Sequence, residues 1–336
     1  LVVEDSLVFR NLLVQGLNQD RALEVVATAS DPFEARDKII EYRPDVMTLD
    51  IELPRMSGLE FLRKLMPQYP LPVVIISALS EKVFDAMKAG AVDFVAKPQV
   101  TEREQLRNFL CSELPVKIKV ASTARVSRYK KPVAFAADQH LSVRSDIDII
   151  AIGASTGGTE AIAEVIRDFS TDIPGTVIVQ HMPPGFTEMY ANRLDSQSRV
   201  KVKEAKNGDM VAPGQVLIAP GGSEHMSIVK VGDNYKVVLK KGEKVNGHCP
   251  SVDVLFNSVA DVAGAHAIGI ILTGMGGDGA KGLLKMQKNG ARTIGQDEAS
   301  CIVYGMPKVA YDLGAVMYQE KLSDIAKKTY TLLNQR

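Results

Sequence analysis

The chain has 336 residues, 46% of them apolar and 24% charged, with 40 Lys and Arg against 40 Asp and Glu. That length is the prior for two domains, and the composition is that of packed globular protein, not of a disordered chain. Zero formal net charge gives no global attraction to nucleic acid or an anionic membrane, and three scattered cysteines (Cys111, Cys249, Cys301) with no C-x-x-C argue against a disulfide framework or a zinc knuckle. No apolar run is long enough to span a bilayer and no signal-like leader opens the chain, so the expectation is a cytoplasmic, monomeric enzyme or regulator without membrane insertion. Leu1 already stands inside a strand pattern, so a few preceding residues are expected.

The first hundred residues alternate strand and helix. A strand over 1–5 ends on Glu4 and Asp5, and Ser6 caps a helix through Leu12, Leu13 and Leu17. A second strand spans 23–29. Asp31-Pro32-Phe33-Glu34 is a helix start, with a cap, a proline at the first helical position and an acid at the third. Further strands are predicted over 45–50, 72–77 and 93–98, with helices over 58–66 and 82–89 between them. This order argues a parallel sheet covered on both faces. Glu4, Asp5, Asp50, Ser77 and Lys97 then all fall at strand carboxyl ends, which line one crevice in such a sheet. Gathered carboxylates repel unless a hard cation joins them, and Mg²⁺ suits such oxygens. Lysine and hydroxyl in the same crevice suit a phosphoryl group carried on an acid.

This segment resembles the receiver domain of bacterial response regulators, a flavodoxin-like fold. The resemblance implies Asp50 as phosphoacceptor, with Mg²⁺ held by Glu4, Asp5, Asp50 and the Glu52 backbone carbonyl. It implies Ser77 and Lys97 as phosphoryl contacts, a cis Lys97–Pro98 peptide, and Phe94 as a switching aromatic. The receiver is expected to span residues 1–114, its last helix beginning near Thr101. From Pro115 the periodicity fails, and Lys117, Lys119, Arg125, Arg128, Lys130, Lys131 and Arg144 face one acid, Asp138. Residues 115–145 therefore read as a basic linker, either inert or a docking segment.

The second domain, 146–336, opens on an apolar strand, Ile149 to Ile152, then Gly153-Ala-Ser155-Thr-Gly157-Gly158 and a helical pattern from Thr159. Strand, glycine turn and helix is doubly wound α/β geometry. G-x-S-x-G also fits a nucleophile elbow, with a structural or phosphate-binding turn as the alternative. A strand over 176–180 ends at His181, and a helix begins at Phe186. Residues 200–239 carry turn signals at Asn207-Gly208, Pro213-Gly214, Gly221-Gly222 and Gly232-Asp233, which predict antiparallel hairpins. A helix over 251–262, a strand over 267–273, Gly274-Met275-Gly276-Gly277-Asp278-Gly279, another helix, a strand near Thr293 and a terminal helix over 323–333 complete the domain. Ser155, His181 and Asp278 each come just after a strand, so they meet at one sheet edge. Nucleophile, general base and orienting carboxylate are the parts of a hydrolytic triad, which is recognised by geometry and not by order. The rival reading takes Gly274-x-Gly276-x-x-Gly279, with Asp297 about 20 residues on, as a dinucleotide fingerprint. His140, His225, His248 and His266 lack ligand-like pairing and read as surface or satisfied core residues.

Together these motifs resemble a chemotaxis protein-glutamate methylesterase of the CheB family over nearly the full length. The resemblance implies hydrolysis of γ-glutamyl methyl esters on chemoreceptors and deamidation of certain receptor glutamines. It implies Ser155 as nucleophile, His181 as base, Asp278 as its orienter, and Thr156 and the Met275 backbone as oxyanion donors, with no cofactor at that site. A chemotaxis histidine kinase would phosphorylate Asp50, and the unphosphorylated receiver would cover the catalytic cleft.

Overall fold

The computed structural model describes residues 1–78, 80–98, 102–126 and 146–335. The chain forms two compact units, Leu1–Pro132 and Val133–Arg336. Among the described residues no helix is long and apolar enough to cross a membrane.

The first unit runs β1 (Val2–Val3), α1 (Leu7–Leu17), β2 (Thr28–Ala29), α2 (Pro32–Tyr42), β3 (Met47–Asp50), α3 (Gly58–Leu65), β4 (Val73–Ser77), α4 (Lys82–Lys88), β5 (Asp93–Ala96), α5 (Arg103–Asn108) and α6 (Leu114–Ser122). Its five strands are parallel in the order β2-β1-β3-β4-β5. Both faces are covered, so Val73 to Ile76 are buried without alternation. The winding reverses between β1 and β3, which sets Glu4 and Asp50 side by side at the sheet's carboxyl edge. The α2 start obeys its sequence: Asp31 accepts from the Phe33 and Glu34 N–H groups, and Glu34 accepts from the Ser30 N–H at 2.7 Å.

The linker expected from residue 115 does not begin there. The chain stays helical from Arg103 to Ser122, with a π-helical turn at Phe109–Glu113. Pro115 has no N–H to donate and its ring crowds the carbonyl one turn back. The wider turn ahead of it, in which the Leu114 N–H reaches Phe109 O, lets the helix continue. Leu114, Ile118, Val120 and Ala121 are buried. Lys117 and Lys119, counted with the basic tether, are helical residues paired with Asp93 at 2.8 Å and Asp20 at 2.7 Å. Arg128, Lys130, Lys131 and Arg144 lie outside the described residues.

The second unit runs β6 (Ile149–Ala154), α7 (Gly158–Arg167), β7 (Gly175–Gln180), α8 (Phe186–Gln197), β8 (Lys201–Glu204), β9 (Met210–Val211), β10 (Gln215–Ile218), β11 (Glu224–Val231), β12 (Asn234–Lys241), α9 (Val252–Val262), β13 (Ala267–Ile271), α10 (Ala280–Lys288), β14 (Arg292–Gln296), α11 (Met306–Asp312), β15 (Tyr318–Glu320) and α12 (Leu322–Leu333). Seven strands form a parallel sheet in the order β15-β14-β13-β6-β7-β10-β8. Beside it, β9, β11 and β12 make an antiparallel insertion. One core packs Ile149, Ala151, Val177 and Val179 of the sheet with Phe256 of α9, Leu283 of α10 and Ile228 and Val237 of the insertion.

Of the hairpins predicted over 200–239, only β9, β11 and β12 are antiparallel. β10 is instead an interior parallel strand, since Val216, Leu217 and Ile218 are all buried and leave no face for solvent. β8 is the edge strand, burying Val202 between the more accessible Lys201 and Lys203. Helix α11 and strand β15 lay outside the predicted elements.

If α6 packs as part of the first unit, Ile118→Ala should cost that unit about 2–4 kcal/mol in urea unfolding of the full chain. An unchanged midpoint would mean that residue 118 lies on a solvated tether.

Candidate active site

The sheet order β13-β6-β7 makes neighbours of the strands that lead to Asp278, Ser155 and His181. Chain order reverses at β6, where a doubly wound sheet opens a crevice. The Ser155 main chain is pinned on both sides. Its N–H donates to Thr273 O at 3.0 Å, and its carbonyl accepts from the Gly158 N–H at 2.7 Å and Gln180 Nε2 at 2.9 Å. Glycine is needed at 158, because a Cβ there would lie 2.7 Å from Ala154 Cβ and collide with the Gln180 amide. It is needed at 274 too, where a Cβ would lie 2.7 Å from Ser155 Cβ.

His181 stands at the end of the next strand, its N–H on Ala154 O at 3.2 Å. Its Nε2 meets Asp278 Oδ2 at 2.8 Å. Nδ1 is buried and makes no hydrogen bond among the described residues. Ser155 and His181 thus each follow one of two paired strands, but the Ser155–His181 hydrogen bond is not formed. Catalytic hydrogen bonds of this kind often tighten only with substrate bound. With Asp278 accepting from Nε2–H, the lone pair is left on Nδ1.

Asp278 is itself heavily satisfied. Besides His181 it accepts from Ser251 Oγ at 2.7 Å, the Val252 N–H at 2.7 Å, Asn246 Nδ2 at 2.8 Å and the Asp253 N–H at 3.2 Å. The carboxylate therefore sits at the N-terminus of α9, where the free N–H groups favour an anion. Burial by itself would raise its pKa. The bond and charge of His181, with Ser251 and Asn246, outweigh that and hold the carboxyl well below its ordinary value of 3.8. Its contribution to stability is thus complete above the unfolded value and is lost only as pH falls toward the depressed one. Asp253 reciprocates, accepting from the Gly282 N–H in the first turn of α10 at 2.6 Å. Burial pushes the Asp253 carboxyl up, and the nearby Asp278 charge adds to the rise.

Of the two oxyanion candidates, Met275 is 48% exposed on the loop after β13, and its N–H engages no acceptor among the described residues. Thr156 is buried, with its carbonyl held by Thr273 Oγ1 at 3.0 Å. Segment 303–306 braces the loop: Gly274 N–H donates to Val303 O at 3.0 Å and Met306 N–H to Gly274 O at 2.7 Å.

The glycine loop does connect strand to helix as a dinucleotide fingerprint requires, but its surroundings are occupied. Asp253 already takes the Gly282 N–H that would face a pyrophosphate, and Asp278 puts a second carboxylate in the loop. Asp297 is turned to its own loop, accepting from the Ser300 N–H at 3.0 Å and Ser300 Oγ at 2.5 Å.

In the first unit, carboxylate oxygens of Glu4, Asp5 and Asp50 lie within 4.8 Å of one another, a hard-oxygen set that could hold a divalent cation. Lys97 Nζ bridges Glu4 (2.8 and 3.0 Å) and Asp50 (2.7 Å). Burial pushes Glu4 up to about 7, against the Lys97 hydrogen bond. Burial would lower Lys97, but Asp50 and Glu4 raise it. The Glu52 N–H donates to Asp50 Oδ1 at 2.9 Å. Ser77 is buried next to Ala96 in the ladder, and its carbonyl takes the Lys97 N–H at 2.7 Å. Phe94 is buried edge-on against Phe84. The expected cis Lys97–Pro98 bond is corrected: among the described residues Cys249–Pro250 is the only cis peptide. Trans is the intrinsic preference of an X–Pro bond, and Lys97 reaches both acids with it.

Sequence reasoning missed Asn246, His248, Ser251 and Asp253. The available signal was Asn246-Gly247, a hairpin-turn dipeptide just ahead of α9. His225 is a satisfied core residue as expected, with its ring nitrogens on Glu243 O and the Ser251 N–H. His248 is half-buried, and its ring stacks on His181.

The sequence model of the CheB methylesterase family matches residues 150–329, and that of the response regulator receiver domain matches residues 1–110. A Syntrophomonas wolfei protein named protein-glutamate methylesterase/protein-glutamine glutaminase 2 is 62% identical over 335 residues, covering 100% of this chain and 97% of that protein. A Syntrophotalea carbinolica protein named protein-glutamate methylesterase/protein-glutamine glutaminase is 50% identical, covering 100% and 98%. The crystal structure of the Thermotoga maritima CheB methylesterase catalytic domain is 38% identical with a TM-score of 0.54, covering 55% of this chain and 98% of that one. The chain belongs to the CheB methylesterase family and carries an N-terminal receiver domain.

Titration calorimetry with NAD or NADP should give no saturable heat, because protein carboxylates occupy the glycine loop. Binding that Gly276→Val destroys would restore the dinucleotide reading.

Proposed function

We propose that the chain is a phosphorylation-controlled serine hydrolase that demethylates γ-glutamyl methyl esters of chemoreceptors and deamidates some of their glutamines. The observation that carries this reading is the His181 Nε2–Asp278 bond of 2.8 Å, which leaves Nδ1 buried and without a partner among the described residues, with His181 and Ser155 following paired strands. The names of the full-length relatives support the substrate class.

In this mechanism Ser155 Oγ attacks the ester carbonyl carbon and its proton passes to His181 Nδ1. Asp278 keeps the second ring proton on Nε2 and stabilises the imidazolium. The Met275 N–H and the Thr156 backbone face the oxyanion. His181 gives that proton to the methoxy oxygen of the ester, or to the amide nitrogen of glutamine, as its bond to the carbonyl carbon breaks, so that methanol or ammonia departs. Water then attacks the acyl-Ser155 carbonyl and gives a proton to Nδ1; the carbon–Oγ bond breaks, Oγ takes that proton back from His181, and the freed glutamate leaves. Ser155→Ala should abolish ester hydrolysis without unfolding the protein. Asp278→Asn should cost about 10⁴ in kcat, as in serine proteases where this change imposes the wrong tautomer. Near-normal turnover in Ser155→Ala would end the triad reading, and a loss under about tenfold in Asp278→Asn would reduce Asp278 to a structural role.

The receiver supplies control. Asp50 is the phosphoacceptor for a chemotaxis histidine kinase, and Glu4, Asp5, Asp50 and the Glu52 carbonyl would hold Mg²⁺. When bound, the ion neutralises phosphoryl oxygens. Lys97 would exchange its bonds to Glu4 and Asp50 for the phosphoryl group, joined by the Ser77 hydroxyl. Each tenfold gain in the active population requires about 1.4 kcal/mol. On methylated receptor membranes, a small phosphodonor should activate the intact protein but not Asp50→Ala, and removing residues 1–145 should raise basal activity. Activation of Asp50→Ala would refute the phosphoacceptor, and a truncated form no faster than the unphosphorylated whole would refute inhibition by the receiver.

A further inference from the structure

The four residues Val245 to His248 form a tight turn that touches both His181 and Asp278. Val245 and His248 exchange two backbone hydrogen bonds of 3.0 Å. Asn246 and Gly247 between them have φ of +52° and +84°, the signs a type I′ turn requires and the reason Asn-Gly suits it. The turn sends two side chains to the triad. Asn246 Nδ2 donates to Asp278 Oδ1 at 2.8 Å and to Asp253 Oδ2 at 2.7 Å. The His248 ring lies parallel to His181, with centroids 3.7 Å apart and planes 8° from parallel.

Two flat rings left to themselves favour an offset or edge-on arrangement over a face-to-face sandwich. The pair is therefore imposed by the turn, which is anchored by its own two hydrogen bonds and by Asn246. This matters because the Asp278 bond fixes His181 at a single atom. The ring can still turn about its Cβ–Cγ bond, which moves Nδ1, the nitrogen farther off that axis, more than it moves Nε2 at Asp278. A parallel ring in van der Waals contact with one face blocks this rotation.

We propose that His248 is a positioning residue, holding the plane of the His181 ring so that Nδ1 is presented to Ser155 when substrate binds. The proposal rests on the reading of His181 as general base. The role assigned is that of the flat ring stacked on His181. An error of a base's position on the ångström scale costs on the order of 10²-fold in rate, which sets the size of effect to expect.

The test is steady-state kinetics of the full-length, phosphodonor-activated protein on methylated receptor membranes. His248→Ala should lower kcat by about tenfold to a hundredfold with KM within about twofold of wild type. His248→Phe, which keeps a flat ring but no titratable nitrogen, should recover most of that loss, and His248→Gln should not. Thermal unfolding of each variant checks the fold. If His248→Ala does not fold, the comparison of His248→Phe with His248→Gln carries the same test. An unchanged kcat in His248→Ala, a change confined to KM, or His248→Phe as slow as His248→Gln would overturn the proposal. Ser155→Ala run in parallel separates the cases: if it is inactive and His248→Ala is normal, only the role of His248 fails. If Ser155→Ala retains turnover, the hydrolase reading and this proposal fall together.

Discussion

The second unit is arranged around one buried carboxylate. An uncompensated charge in a protein interior costs several kcal/mol, so Asp278 has to be surrounded by donors. It is, by His181, Asn246, Ser251 and the first turn of α9. These donors come from separated parts of the chain, and satisfying the carboxylate draws them together. Asp253 extends the arrangement by capping α10, the helix next after Asp278 itself. Each helix start thus holds a carboxylate delivered next to the other helix. The imidazole orientation is a by-product of that packing: Nε2 is one of the donors the carboxylate requires, and Nδ1 is what remains.

The first unit meets a related constraint with a counter-charge. Glu4 and Asp50 are buried side by side at the carboxyl edge, and Lys97 lies between them. The lysine also packs over the Phe9 ring, 4.6 Å from its centroid. Any cation or phosphoryl group entering this crevice must compete with an ion pair already made. Binding there is therefore coupled to movement of Lys97, which lies just past β5 with its N–H bonded to the Ser77 carbonyl. A device of this kind converts a local charge change into a shift of the chain around it.

Much of this was legible in the sequence because burial on both faces writes strands as unbroken apolar runs. β4, β6, β7 and β13 read that way, and Ser155, His181 and Asp278 stand out as the polar residues just past the ends of such runs. The Asp31 cap was legible because its partners are within three residues. Pro115 misled because a proline reads as a helix end, whereas a π turn ahead of it accommodates the ring. Turn dipeptides flank β10 as they flank a hairpin strand, and only the unbroken apolar run Val216, Leu217 and Ile218 marks it as an interior parallel strand. Asn246, His248 and Ser251 carry no local signal of their roles, because their partners Asp278 and His181 are far away in sequence. Only the fold shows that an Asn-Gly turn before α9 lands on a histidine after β7.

The central claim is that Asp278 holds the His181 proton on Nε2 and leaves Nδ1 bare for Ser155, and it can be measured without substrate. Nitrogen-15 NMR of the full-length protein labelled at histidine, with His181 assigned by substitution, reports which ring nitrogen carries the proton. The account predicts the Nε2–H tautomer, lost in Asp278→Asn. A proton on Nδ1 in the unsubstituted protein, or a tautomer indifferent to Asp278→Asn, would contradict it.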